Sequence, residues 1–204
     1  MVTASALYNK SYEITFIMLV CITALTFMRS IRADISQKAS LSLQLSSFVT
    51  MIASMHYYLM IQNKDNVHVY RYFDWFFTTP VLLIDLCLLL DIYDPMFVLE
   101  LIIYNTVMLG VGFIGELNYI GLLPSTIIGF VPLGIMFARL RARLMSQNHT
   151  KDQRDLLNVF FGLWSLYGVN NLVTNRTISN SVFNGLDFLT KGAFGLYIFG
   201  ASFN

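Results

Sequence analysis

Two short stretches put ionisable groups among apolar neighbours. RYFDWFFTTPVLLID, residues 71–85, carries Arg71, Asp74 and Asp85, and NGLDFLTKG, residues 184–192, carries Asp187 and Lys191. A charge in hydrocarbon costs several kcal/mol, so charged groups persist there where they pair, line a water-filled cavity or pass protons and ions. At 100° per residue, Arg71, Asp74, Thr78 and Asp85 fall within a sector of roughly 60° on one helix. That polar stripe must look into a bundle. Asp74 and Asp85 are eleven residues apart, or about 16 Å of helix, so the two carboxyls sit at different depths and cannot share one task.

Asp187 and Lys191 are four residues apart, one turn along the same helix face, with Phe183 a further turn away. Lys191 has about a dozen apolar-span residues on either side, at or beyond the reach of a four-carbon stem to an interface. A buried lysine can be neutral, paired or chemically modified, and its amine condenses readily with an aldehyde. If the two stretches face each other, a cationic nitrogen at Lys191 together with Arg71 balances Asp74 and Asp187. The cluster then sums to zero, which makes deep burial tolerable.

The elements that must hold these groups are membrane spans. Of the 204 residues, 56% are hydrophobic and 12% charged, about half the charged fraction of a soluble domain. A pass for apolar runs gives seven spans, at roughly 12–31, 41–62, 68–90, 96–114, 119–142, 155–174 and 178–202, suited to a ~30 Å hydrocarbon core. The reading is an all-α seven-transmembrane-helix bundle forming a single domain over residues 1–204, with short loops and no removable signal peptide. Arg29, Arg32 and Lys38 fall between the first two spans, and Arg139, Arg141, Arg143, Lys151 and Arg154 between the fifth and sixth. Only Lys10, Lys64 and Arg176 mark the other side, so the N-terminus is expected outside the cell and the C-terminus in the cytoplasm.

A net charge of +1 offers no basic stripe for nucleic acid. Cys21 and Cys87 lie mid-span in apolar company and point to neither a disulfide nor a metal. The two tryptophans, Trp75 and Trp164, and Tyr167 one turn beyond the latter, are central in their spans rather than at headgroup belts. They suit either core packing or the walls of a pocket for a flat apolar ligand, and Tyr57 beside His56 has the same two readings. Pro80 frees a backbone carbonyl one turn earlier, a gap that Thr78 or Thr79 can occupy, and a local kink is expected there.

These residues resemble the microbial (type 1) rhodopsins, the retinal proteins that include bacteriorhodopsin and proteorhodopsin. The likeness covers the whole chain and rests on RYFDWFFTTPVLLID, WSLYG (164–168) and NSVFNGLDFLTKGAFGL (180–196), with MHYYLM (55–60) and VMLGVGFIGE (107–116) in support. It implies that Lys191 carries all-trans retinal as a protonated Schiff base. Asp74 would be primary counterion and proton acceptor, Asp187 the second counterion, and Arg71 the organiser of water beneath them. Asp74, Thr78 and Asp85 match the combination of outward proton pumps, in which Asp85 is the proton donor. Its neighbours Leu82, Leu83 and Leu86 favour an uncharged carboxyl. His56 stands where proteorhodopsins have a histidine partnering the counterion, and His56 and Tyr57 join the proton pathway. Trp75, Thr79, Leu82, Met108, Gly112, Trp164, Tyr167 and Phe183 match retinal-pocket positions, leucine at 82 being the green-absorbing type.

The sequence also departs from bacteriorhodopsin. Gly168 replaces the usual proline of the sixth helix, Asn171 stands at a pocket tryptophan, and Ser179 and Asn180 occupy the zone of its proton-release glutamates. The compact chain resembles rhodopsins encoded by large viruses of protists. The resemblance implies a light-driven outward proton pump and not an enzyme. Its seat would be the plasma membrane or, for a virus, a membrane of the host cell. Its partners would be lipid, the transported proton and further copies in a trimer or pentamer. The alternatives are a light-gated cation channel, which the second span LSLQLSSFVTMIASMHYYLM disfavours by lacking glutamates, and a photosensor, which Asp85 disfavours.

Overall fold

The computed structural model describes residues 4–146 and 149–202, side chains of residues 4–9 excepted. It is all helical among the described residues. The helices are α1 (Ala4–Ser30), α2 (Gln37–Gln62), α3 (Val67–Leu89), α4 (Pro95–Glu116), α5 (Leu122–Met145), α6 (Lys151–Asn170), α7 (Arg176–Asp187) and α8 (Phe194–Ala201). A wide-turn π-helical segment, Phe188–Ala193, joins α7 to α8 without a break, so the described residues run as seven rods.

Local chemistry sets where the rods start. Asp94 accepts from the backbone N–H of Met96 and Phe97 ahead of Pro95, which is pre-set for a first helical position. Thr150 and Gln153 form a reciprocal capping box on α6, Ser36 caps α2 and Asn175 caps α7. The chain reverses through left-handed residues at Asp91 (φ 57°) and Asn118 (φ 62°), two residue types that tolerate that region.

Large apolar side chains point outward along the rods, among them Ile17, Phe27, Phe73, Phe77, Ile103 and Ile127, while serines, threonines and charges are buried. This inversion of a soluble surface is that of a multi-pass membrane protein. Among the described residues, four helices are long and apolar enough to cross a bilayer by length and composition alone: Lys10–Ser30, Lys64–Leu89, Pro95–Glu116 and Leu122–Met145. The others are more polar or interrupted. α2 carries a serine-rich inward face, α6 begins with Lys151, Asp152, Arg154 and Asp155, and the last rod is divided by its wide turn.

The helices fall into two compact units. One comprises Met1–Asp85 with Asn175–Asn204. There α1 lies along α2, and Tyr12, Leu19, Ala53, Tyr57, Met60 and Val67 form a core. Gly195 on α8 lets Ser46 of α2 come close, since a Cβ there would stand 2.5 Å from the Ser46 hydroxyl. Around Pro80, Thr78 Oγ1 donates to the Asp74 carbonyl (2.8 Å) and Thr79 Oγ1 to that of Trp75 (2.7 Å), each back to its own preceding turn.

The second unit is Leu86–Thr174, in which α5 packs against α4 and α6. Phe137 meets Trp164 edge to face at 5.9 Å. The glycine that replaces the expected proline has a steric reason: a Cβ on Gly168 would stand 2.7 Å from Cζ of Phe130, whose ring takes that space. Asn171 donates to the hydroxyl of Thr126 at 3.3 Å. Of the basic residues placed by sequence between the fifth and sixth spans, Arg139 and Arg143 lie within the end of α5, where Arg139 forms a two-pronged pair with Glu100 (3.0 and 2.9 Å) and Arg143 lies 3.6 Å from Asp94.

Candidate functional site

The first unit brings Arg71, Asp74, Asp187 and Lys191 into one buried cluster, each no more than 2% exposed. α3 supplies Arg71 and Asp74 from the stripe expected of it, and Asp187 ends α7 while Lys191 lies in the wide-turn segment. Regular α-helical spacing was expected between those two. The structure instead widens the helix there, and the Lys191 amine still lies 3.2 Å from Asp187 Oδ1. Such bulges recur at functional sites.

The two carboxylates are held very differently. Asp187 accepts on both oxygens: Oδ1 from Trp75 Nε1 (3.1 Å) and Lys191, Oδ2 from Tyr57 OH (2.8 Å) and Arg71 Nη1 (2.9 Å). Asp74 is hydrogen-bonded to the Lys191 ammonium through Oδ2, whereas its buried Oδ1 makes no hydrogen bond. Protonating Asp187 would weaken four charge-assisted bonds, while protonating Asp74 disturbs one and gives its idle oxygen a role.

His56 is close to Asp74 but does not bond it. Its Nδ1 stands 4.0 Å from Asp74 Oδ1 and 3.0 Å from the Ile52 carbonyl one turn back, which claims that nitrogen as a donor. Farther along α3, Asp85 is fully buried and accepts one hydrogen bond, from Ser42 of α2, while its Oδ2 makes none. Thr78 is buried with its hydroxyl turned to backbone.

The pocket candidates divide between the units. Trp75, Thr79, Leu82 and Phe183 are buried in the first, where Trp75 and Phe183 meet edge to face at 5.2 Å. In the second, Trp164 is buried and Met108, Gly112 and Tyr167 are half-buried. Sequence reasoning missed Asn184, Ser42 and Arg29. Asn184 accepts from Arg71 Nη2 at 2.8 Å and lies three residues before Asp187, a spacing that marks the same face. Ser42 gave no signal beyond being a hydroxyl in an apolar span. Arg29, counted only for its charge between the first two spans, is 8% exposed and bound to Asp34 and to the hydroxyl and carbonyl of Ser202. That contact holds the exposed Asp34 carboxyl below its usual range, with Arg29 as the main cause.

The donor set fits an aldehyde cofactor. Lys191 is the one buried lysine among the described residues, its nitrogen faces two acids, and two aromatic rings stand on neighbouring turns of α3 and α7.

A sequence profile of the family described as "bacteriorhodopsin-like protein" matches residues 9–204. The green-light absorbing proteorhodopsin of Gamma-proteobacterium EBAC31A08 is 28% identical over 189 residues, covering 82% of this chain and 76% of that protein. The bacteriorhodopsin of Halobacterium salinarum is 32% identical over 143 residues, 63% of this chain and 54% of that one. Among solved structures, the viral rhodopsin OLPVRII superposes with a TM-score of 0.88 at 26% identity, covering 95% of this chain and 96% of that one. Members of this family bind retinal and act as light-driven transporters or sensors, not as enzymes. The chain therefore belongs to the bacteriorhodopsin-like family of retinal-binding, multi-pass membrane proteins.

Proposed function

We infer that the protein is a light-driven outward proton pump, with its N-terminus outside the cell and retinal bound covalently through Nζ of Lys191. The observation that carries this reading is the unequal saturation of two acids around one buried amine: four donors on Asp187, and one on Asp74 with an oxygen to spare. Trp75, Thr79, Leu82, Met108, Gly112, Trp164, Tyr167 and Phe183 are the residues assigned to the chromophore. Retinal supplies light absorption and the change of shape that alters the surroundings of the nitrogen.

The residues of the chain do the proton work. Nζ of Lys191 gives its proton to Asp74, while Asp187 stays ionised under its four donors and keeps Arg71 compensated. Asp85 then returns a proton to Nζ from its uncharged carboxyl, the idle Oδ2 being the oxygen that bears it, and recovers one from the cytoplasm. Asp74 then loses its proton to the extracellular side, so each turnover moves one proton outward and returns the cluster to zero net charge. Leucines beside Asp85 exclude the water that would short-circuit this order.

The test is illumination of retinal-supplied cells in weakly buffered medium. The medium acidifies, and Asp74→Asn abolishes the signal. Alkalinisation, or no change, would sink the outward pump. Photocurrent of one sign at every voltage supports the pump, whereas current that reverses with the ionic gradient would assign a channel.

A further inference from the structure

Arg71 is buried, and both ends of its guanidinium fork are committed. Nη1 donates to Asp187 (2.9 Å) and meets the Tyr57 hydroxyl at 3.3 Å, while Nη2 donates to Oδ1 of Asn184 at 2.8 Å. Asn184, 1% exposed, uses its other end as well: Nδ2 donates to Ser11 Oγ on α1 at 2.9 Å. The amide's orientation is fixed by chemistry, since a guanidinium has no acceptor and only the oxygen can face it. Asn184 is thus a neutral bridge from the charged cluster to α1.

We propose that Asn184 is a positioning residue for Arg71, holding the guanidinium against Asp187 in the dark and setting when the outward proton leaves. The second half rests on the pump reading; the first does not. Arg71 and Asp187 keep opposite charges before and after a proton passes from Lys191 to Asp74, so their attraction cannot report that event. The bonds that can yield are those Arg71 makes to uncharged acceptors, and of its two the one from Nη2 to Asn184 is the shorter. Releasing it frees a buried cationic donor to seek water, whereas a carboxylate at the same position would grip it harder. The link to Ser11 keeps the amide from following the guanidinium.

Two measurements test this on the full-length protein. In the dark, with or without retinal, nitrogen-15 spectra of arginine-labelled protein follow the Arg71 side chain, assigned by its loss in Arg71→Gln. Hydrogen exchange at Nη2 is expected to speed up about tenfold or more in Asn184→Leu and to slow in Asn184→Asp. After a flash, a pH-indicating dye is read against Asp74 protonation. Release is expected to come about threefold or more sooner in Asn184→Leu and later in Asn184→Asp, with reprotonation of Lys191 unchanged. A merely structural residue would slow every phase alike. Unchanged exchange in both variants would overturn the proposal, and where the leucine variant fails to fold, the isosteric aspartate variant decides alone. No light-driven release from the unaltered protein would overturn the pump reading and the timing half, and the dark measurement would still decide the clamp.

Discussion

The charge cluster around Lys191 and the lone carboxyl of Asp85 share one helix face, yet they are built on opposite rules. In the cluster two cations and two anions are buried together, and Asp187 alone receives four donors. Asp85 has no charged partner in the first unit, only the hydroxyl of Ser42. Ionised groups in a low-dielectric interior survive by mutual compensation, and an isolated acid survives by giving up its charge. On the pump reading, the same residue type serves as a fixed anion at 187, an acceptor at 74 and a donor at 85.

Breaking the compensation should have the largest effect. Lys191→Ala removes one cation and leaves the cluster at a net charge of −1, a buried imbalance that costs about 3–5 kcal/mol. No coloured pigment should form with added retinal, and thermal unfolding should move to lower temperature. Pigment of unaltered colour would end the assignment of Lys191 as the attachment point.

The two anions of the cluster give a sharper contrast. Asp187→Asn takes the charge from four donors, and Asp74→Asn takes it from one. Both lower the pigment's stability, but Asp187→Asn should cost more, by about 2 kcal/mol or above at roughly 1 kcal/mol for each additional charge-assisted bond. Asp74→Asn should leave a stable pigment that moves no protons. Calorimetry of the two pigments side by side checks the order, and equal stabilities would dissolve the distinction.

The rods and most of the cluster were legible in the sequence because bilayer physics writes strong signals: a charge in an apolar span must face inward, and 100° per residue says which charges share a face. Asp74, Asp85, Asp187 and Lys191 were found that way. Geometry set by other helices was not legible. His56 was expected at Asp74 and lies 4.0 Å from it, though its ring nitrogen turns to the carbonyl of Ile52 on its own helix, which the residue pattern did not show. Arg29, which counted in the sequence only as a basic residue marking one side of the membrane, ties α1 to Ser202 at the end of α8. Gly168 read only as a missing proline until the ring of Phe130 was seen in the space a side chain would need. The widened turn at Phe188–Ala193 left no mark in the residue pattern at all.

Asp85→Asn tests the other side of the comparison. The charge cluster is untouched, so colour and pigment stability should be close to those of the unaltered protein. Reprotonation of Lys191 after a flash should slow by about 10²-fold, the usual scale for losing a positioned proton donor. Flash spectroscopy of the deprotonated species reads this directly. A rate unchanged within a factor of about two would remove Asp85 from the pathway.

The smallest effect belongs to Ser42. Its hydroxyl donates to Oδ1 of Asp85, and that bond stabilises the carboxylate left behind when Oδ2 gives up its proton more than it stabilises the neutral acid. Ser42→Ala therefore makes departure of the proton less favourable. One hydrogen bond of about 0.5–1 kcal/mol slows reprotonation of Lys191 by roughly threefold. Ser42→Thr keeps a hydroxyl on α2 and should keep the rate. Ser46, one turn along α2, also has a buried hydroxyl with no hydrogen bond, which allows a second donor to stand in for the first. A slowing by Ser42→Ala alone that deepens in Ser42→Ala with Ser46→Ala would show the carboxyl drawing on both. Faster reprotonation in Ser42→Ala would reverse the sign of the argument and make the serine a brake on the donor rather than its support.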